Sequence, residues 1–103
     1  MRDKVLSLLS IAAKSGSVKS GEFMTEKSVK EGLSFLVIVS SEASDNTKKK
    51  FKDMGAFHDV PVYIHGSKDD LGRCIGKEFR ASLSVNDEGL AKELIKRLEA
   101  SDA

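Results

Sequence analysis

The chain's most constraining feature is a seven-residue run, Leu33-Ser34-Phe35-Leu36-Val37-Ile38-Val39, which is apolar at all but one position and carries no charge. A strand of this kind has no face to give to water, so both of its sides must be covered. Covering a strand from above and below calls for helices on both sides, and the neighbouring segments can supply them. Val5, Leu6, Leu8, Leu9, Ile11, Ala12 and Ala13 predict a helix over 2–14 with a broad apolar face, ended by Ser15-Gly16. After a short extended piece at 17–20, Gly21-Glu22 opens a second helix to about Glu31, closed by Gly32. Its apolar residues are Phe23, Met24 and Val29, with Glu26, Lys27, Lys30 and Glu31 mostly outward.

A third helix is expected over 45–55, capped by Ser44 or Asp45, with Phe51 and Met54 inward. Its Lys48, Lys49, Lys50 and Lys52 read as a solvated face, with a phosphate patch as the alternative. Ala81 to Val85 forms a last strand, and Asn86 or Asp87 caps a final helix through Leu90, Ala91, Leu94, Ile95 and Leu98. The tail at 100–103 is expected to fray. Helix and strand alternate with short connections throughout. That pattern predicts one α/β domain over 1–103, a three-layer α/β/α sandwich around a mixed sheet of about four strands.

The densest stretch is Val60 to Arg80. Val60 to Ile64 has the β-branched and aromatic composition of a buried strand, with Pro61 near its start, where a missing N–H matters least. His65-Gly66 turns the chain, Ser67 offers an N-cap, and Asp69 and Asp70 suit the first turn of a short helix. Leu71, Cys74 and Ile75 give that helix one apolar face, and Gly76 a left-handed stop. Gly72 lies inside it, where glycine costs ~1 kcal/mol against alanine. Its presence implies close approach by another backbone or a ligand. Phe79 then sits between cations in Lys77-Glu78-Phe79-Arg80, either as a core plug, the commoner fate of such an aromatic, or as a surface that stacks against a partner.

Composition excludes more than it selects. One cysteine rules out an internal disulfide and suits a reducing compartment, no apolar run approaches the ~18 residues of a membrane span, and no continuous signal-peptide core follows Met1. A cytoplasmic protein is expected. Net charge is +1, with 14 Lys/Arg against 11 Asp/Glu in residues 1–85 and 3 against 5 in residues 86–103, so any nucleic-acid site must be a local patch. No catalytic constellation is present. Cys74 with His58 or His65 fits no metal or nucleophile spacing, and Asp69 with Asp70 is a pair of helix-cap carboxylates. Gly66 and Gly72 are one residue too far apart for a phosphate loop, and Arg73 stands where lysine is required. No cofactor or metal is implied.

Val60-Pro61-Val62-Tyr63, followed by Ser67-Lys68-x-x-Leu71-Gly72-x-x-x-Gly76, resembles the signature of the kink-turn-binding ribosomal protein superfamily, the L-seven-Ae and L-thirty-e fold. The similarity runs over nearly the whole chain, and Ser44-Asp45-Asn46-Thr47-Lys48-Lys49-Lys50 looks like its bacterial YlxQ-like branch. The resemblance implies a non-enzymatic α/β/α sandwich that binds sharply bent RNA containing tandem sheared G·A pairs, in a ribosomal or translation setting. It places a strand-to-helix junction at Lys19, Ser20, Gly21, Glu22, Phe23 and Met24, with Lys27 one turn on. It makes Glu78, Phe79 and Arg80 the loop that covers an extruded nucleotide, with Arg73 and Lys77 as further phosphate contacts. The pattern departs at one place: the family's Gly-x-Asn-Glu is here Gly21-Glu22-Phe23-Met24, and Phe and Met cannot hydrogen-bond G·A pairs. A second expectation therefore stands beside RNA binding: a protein-interaction module or homodimer docking through Phe23, Met24 and Phe79. The oligomeric state stays open between them.

Overall fold

The computed structural model describes residues 3–101. Along it run α1 (Lys4–Lys14), β1 (Val18–Ser20), α2 (Glu22–Lys30), β2 (Leu36–Val39), α3 (Asp45–His58), β3 (Val62–Ile64), α4 (Lys68–Cys74), β4 (Ser82–Val85) and α5 (Glu88–Ser101). The strands form one mixed sheet in the order β1–β4–β2–β3. β4 runs antiparallel to both β1 and β2, and β2 runs parallel to β3. Alternation along the inner strands divides the core. Leu36 and Ile38 of β2, with Leu83 and Val85 of β4, pack against Val5, Leu9, Leu71 and Leu94 of α1, α4 and α5. Val37 and Val39 face the other way, onto Val29 of α2 and Phe51 of α3. The three-layer α/β/α sandwich expected from the sequence is therefore the observed architecture.

Caps set the helix starts. The Asp3 carboxylate accepts from the Val5 and Leu6 amides at 2.9 and 3.1 Å, Ser44 accepts from Thr47 at 3.1 Å, and Ser67 from Asp70 at 3.0 Å. Asp87 performs the same task for α5, accepting from Leu90 at 2.8 Å. The second Asp3 oxygen lies 2.8 Å from His65 Nε2, which ties the start of α1 to the turn after β3. Burial alone would raise the Asp3 pKa; the Leu6 and Val5 amides and His65 together hold it below its ordinary value.

Several expectations need correction. The apolar run is a strand only from Leu36; Leu33 and Phe35 are 51% and 41% exposed. They precede the register that pairs β2 with β3, where Val37 meets Val62. β3 begins at Val62, two residues late, and is a half-buried edge strand, so it is covered less than its composition suggests. α3 does not stop at Gly55. That glycine is buried, and a Cβ there would press on the Val60 carbonyl and the Val62 side chain, so it serves helix-to-strand packing. The left-handed stop falls on Asp59, at φ 61°. Of the frayed tail, Ala100 and Ser101 belong to α5, while Asp102 and Ala103, like Arg2 of the first helix, lie outside the described residues.

α2 differs most. It buries Thr25 and Ser28 beside Val29, and turns Phe23 outward. The cause is the facing strand: β4 presents Ser82 and Ser84 on that side of the sheet. Ser82 Oγ lies 3.4 Å from Thr25 Oγ1, Ser84 Oγ lies 2.7 Å from Ser34 Oγ, and Asn86 Nδ2 donates to Ser28 Oγ at 3.2 Å. Among the described residues no buried side-chain nitrogen or oxygen lacks a partner, which is what lets a polar seam stand in a core.

The sequence expectation at Gly72 is met by another backbone. A Cβ there would overlap the Glu78 carbonyl, and the Lys77 amide donates to the Gly72 carbonyl at 2.8 Å. Gly72→Ala should therefore destabilise the fold by about 1–3 kcal/mol despite its better helix propensity, because main chain must shift. Urea unfolding checks this; an unchanged midpoint would show that the 77–80 loop yields freely.

Candidate functional site

At one end of the sheet, β1 hands over to α2 through Gly21. Its φ of +91° and ψ of 157° fall in a region essentially reserved for glycine. Its amide donates to the Ser82 carbonyl at 3.0 Å, and its carbonyl accepts from Thr25 at 2.9 Å. A Cβ built there would meet nothing within 4 Å, so the side of Gly21 that lacks a side chain faces open space. Among the described residues no side chain caps the first turn of α2, which leaves helix N-terminal amides open to an acceptor from outside.

The loop between α4 and β4 lies next to this junction. The Arg80 amide donates to the Lys68 carbonyl at 3.1 Å and its Nη1 to the Phe79 carbonyl at 2.8 Å, while its Nε donates to Ser20 Oγ at 3.1 Å. That last bond joins the loop to the last residue of β1. Phe79 itself is 68% exposed, so the core-plug reading is excluded. Phe23 is 74% exposed and Met24 is half-buried. Lys19, Lys27, Lys77 and Glu78 are exposed, and Lys27 lines a groove with Phe23. Arg73 stands apart: it pairs with Asp69 at 3.2 Å and lines a groove against Ser10 and Lys14 of α1. Junction, α2 and loop carry Lys19, Lys27, Lys30, Lys77 and Arg80 against Glu22, Glu26 and Glu78, and Lys50 reaches in from α3.

Lys50 was not singled out as a site residue from the sequence. From α3 it reaches Glu22 at 2.9 Å and Glu26 at 2.7 Å, and Lys30 meets Glu26 at 2.7 Å. The Lys30 and Lys50 hydrogen bonds hold the Glu26 carboxyl down to about 2. Two carboxylates beside the junction are thus paired with lysines. Nothing in the sequence set the lysine run of α3 beside Glu22 and Glu26, so this bridge emerges only with the packing of the two helices. The Cys74 thiol is pushed up to about 11, chiefly by burial, with Asp3 and Asp70 adding to it, which favours the protonated form over the thiolate at neutral pH. Among the described residues no group of three or more His, Cys, Asp or Glu could hold a metal ion, and no helix is long and apolar enough to cross a membrane.

These features define an α/β/α-sandwich protein with an open strand-to-helix glycine and an aromatic loop tied together at one end of its sheet. Residues 3–95 match the Ribosomal protein L7Ae/L30e/S12e/Gadd45 family, and the chain belongs to that family. It is 38% identical over 92 residues to RNA-binding protein YlxQ of Bacillus subtilis, covering 89% of this chain and 92% of that one. It is 36% identical over 90 residues to large ribosomal subunit protein eL30 of Sulfolobus acidocaldarius, covering 84% and 86%. Among solved structures, a protein of unknown function from Bacillus halodurans superposes with a TM-score of 0.92 at 38% identity, over 95% of this chain and 99% of that one. The Giardia lamblia 15.5kD RNA binding protein does so at 0.80 and 25% identity, over 93% and 85%.

Lys50→Met should raise the Glu26 carboxyl from about 2 toward its ordinary 4.5, since one of its two ammonium partners is lost. Carboxyl-carbon NMR titration reads this directly; an unmoved Glu26 would mean that Lys30 alone holds it.

Proposed function

We propose that this chain is a small, non-enzymatic, cytoplasmic RNA-binding protein, acting as one unit over residues 1–103 on kinked, structured RNA in a ribosomal or translation setting. The observation that carries the reading is the open main chain at Gly21, lying beside a loop that Arg80 fastens to Ser20. The names of the relatives support it, since they are RNA-binding and ribosomal proteins. Regular A-form RNA hides its base edges in a deep, narrow major groove, so a protein this size meets RNA where the helix is bent or bulged. In that setting Gly21 lets the backbone come close, the first amides of α2 meet phosphate or base acceptors, and Lys19, Lys27, Lys77 and Arg80 contact phosphates. Phe79 covers an extruded nucleotide. Arg73 reaches the RNA only if its exposed pair with Asp69 opens, a small cost for a surface ion pair.

Phe23 and Met24 cannot hydrogen-bond base edges, so the bend itself is recognised more than the G·A pairs within it. Exposure of Phe23 and Phe79 also suits a protein partner or a second copy, and salt separates the two readings. With three or four phosphates neutralised, RNA affinity should fall ~40- to 150-fold between about 50 and 200 mM salt. An apolar interface changes little.

Gel shifts with a kink-turn RNA, and with the same RNA lacking its G·A pairs, should show salt-sensitive binding to the first and only modest loss on the second. Phe23→Asn with Met24→Glu should then make binding G·A-dependent by ~10-fold or more. Absence of binding to either RNA, or insensitivity to salt, overturns the proposal.

A further inference from the structure

Resting on the RNA-binding reading, we infer that the outer face of α2 is a nucleotide subsite, in which an unpaired base stacks on Phe23 while its phosphate meets Lys27. Phe23 is the second residue of α2 and, at 74% exposed, contributes little to the core. Among the described residues no ring or ammonium group covers it. It opens a groove of about 300 Å³ that runs along the helix past Glu26, Lys27, Lys30 and Glu31. Lys27 follows Phe23 by four positions and so is its neighbour on the same helical face.

Charge decides what the groove can hold. Glu26 is engaged by Lys30 and Lys50, and Lys30 is spent on Glu26. Lys27 forms no ion pair among the described residues. The groove thus offers one uncovered aromatic face and one uncommitted ammonium a turn apart, with the Glu31 carboxylate, also outside any ion pair among the described residues, two turns from Phe23. A single nucleotide presents the complement: a flat base and one negative phosphate. A docking protein would need a contiguous apolar patch, whereas Phe23 is rimmed by Glu and Lys. The base must be unpaired, since only then is its face free of neighbouring stacks. Stacking accepts every base, so this subsite confers affinity for extruded nucleotides with little sequence preference.

The test uses the full chain and a kinked RNA whose bulge carries 2-aminopurine, whose fluorescence is quenched on stacking, with an abasic bulge as control. The native protein should bind the base-bearing RNA more tightly than the abasic one and quench the probe. Phe23→Ala, at an exposed helical position that tolerates it, should weaken binding to the base-bearing RNA ~5- to 100-fold and abolish quenching, with no further loss on the abasic RNA. Phe23→Tyr should restore both. Lys27→Gln should weaken both RNAs alike and lower the salt slope by about one. If Phe23→Ala binds and quenches like the native chain, or quenching is lost only with Phe79→Ala, the subsite is wrong while RNA binding stands. If neither RNA binds the native chain, the subsite and the proposed function fall together.

Discussion

The carbonyl of Glu78 occupies the place where any side chain at position 72 would put its first carbon. The geometry of the candidate site follows from that contact. With no Cβ in the way, the loop after α4 lies flat against the helix, and the Lys77 amide closes onto the Gly72 carbonyl. Arg80 is then held at its main chain by Lys68 and can reach Ser20 with its guanidinium. A seven-residue helix with one buried glycine thus sets the distance between two loops separated by about sixty positions in the chain. Such backbone-on-backbone packing leaves no flexible side chain to absorb error, so the loop's place is defined even though Phe79 is bare.

The polarity of β4 settles how α2 presents itself. Leu83 and Val85 serve the core under α1 and α5, but the alternate positions are Ser82 and Ser84. A helix lying on serines gains more from hydroxyls than from large apolar groups, and α2 accordingly turns Thr25 and Ser28 inward. Once those positions face the sheet, helical geometry puts Phe23 and Lys27 on the far side and Glu22 and Glu26 within reach of Lys50 on α3. The outward aromatic is therefore a consequence of the hydrogen-bonded seam between the helix's inner face and β4, not of any local preference of phenylalanine.

That is also where sequence reading was strongest and weakest. Gly72 was legible because glycine inside an amphipathic helix has few explanations, and close backbone approach is the commonest physical one. The three-layer architecture was legible because Leu36 to Val39 leave no face for water. The N-cap at Ser67 and the left-handed Gly76 were legible from local chemistry alone. The fate of Phe23 was not. Its burial depends on what lies opposite, and the serines of β4 lie about sixty residues away in sequence. Gly55 misled for a related reason: a glycine that makes room for Val60 and Val62 has the same letter as one that ends a helix. The Lys50 bridge needed the packing of α2 against α3, which no spacing within either helix displays.

A chain with a net charge of +1 cannot gather RNA by its whole field, because ions at physiological strength damp Coulomb forces beyond about 8 Å. What remains are contacts made at touching distance. Hydrogen-bonding pairs at the start of α2 would read particular base edges and reject wrong ones strongly, since a buried polar group left unpaired costs ~1–3 kcal/mol. Phe23 and Met24 carry no such groups, so they impose no such rejection. On the proposed reading their contribution would come from area and stacking, which every base can supply, while Gly21 would contribute by leaving room. Selection would then shift from which bases stand at the bend to whether a bend exists and extrudes a nucleotide. The lysines paired with Glu22 and Glu26 fit that reading, because they offset carboxylate charge that would otherwise repel phosphate. On the proposed reading, such a surface would suit a protein that meets several bent RNAs better than one committed to a single sequence.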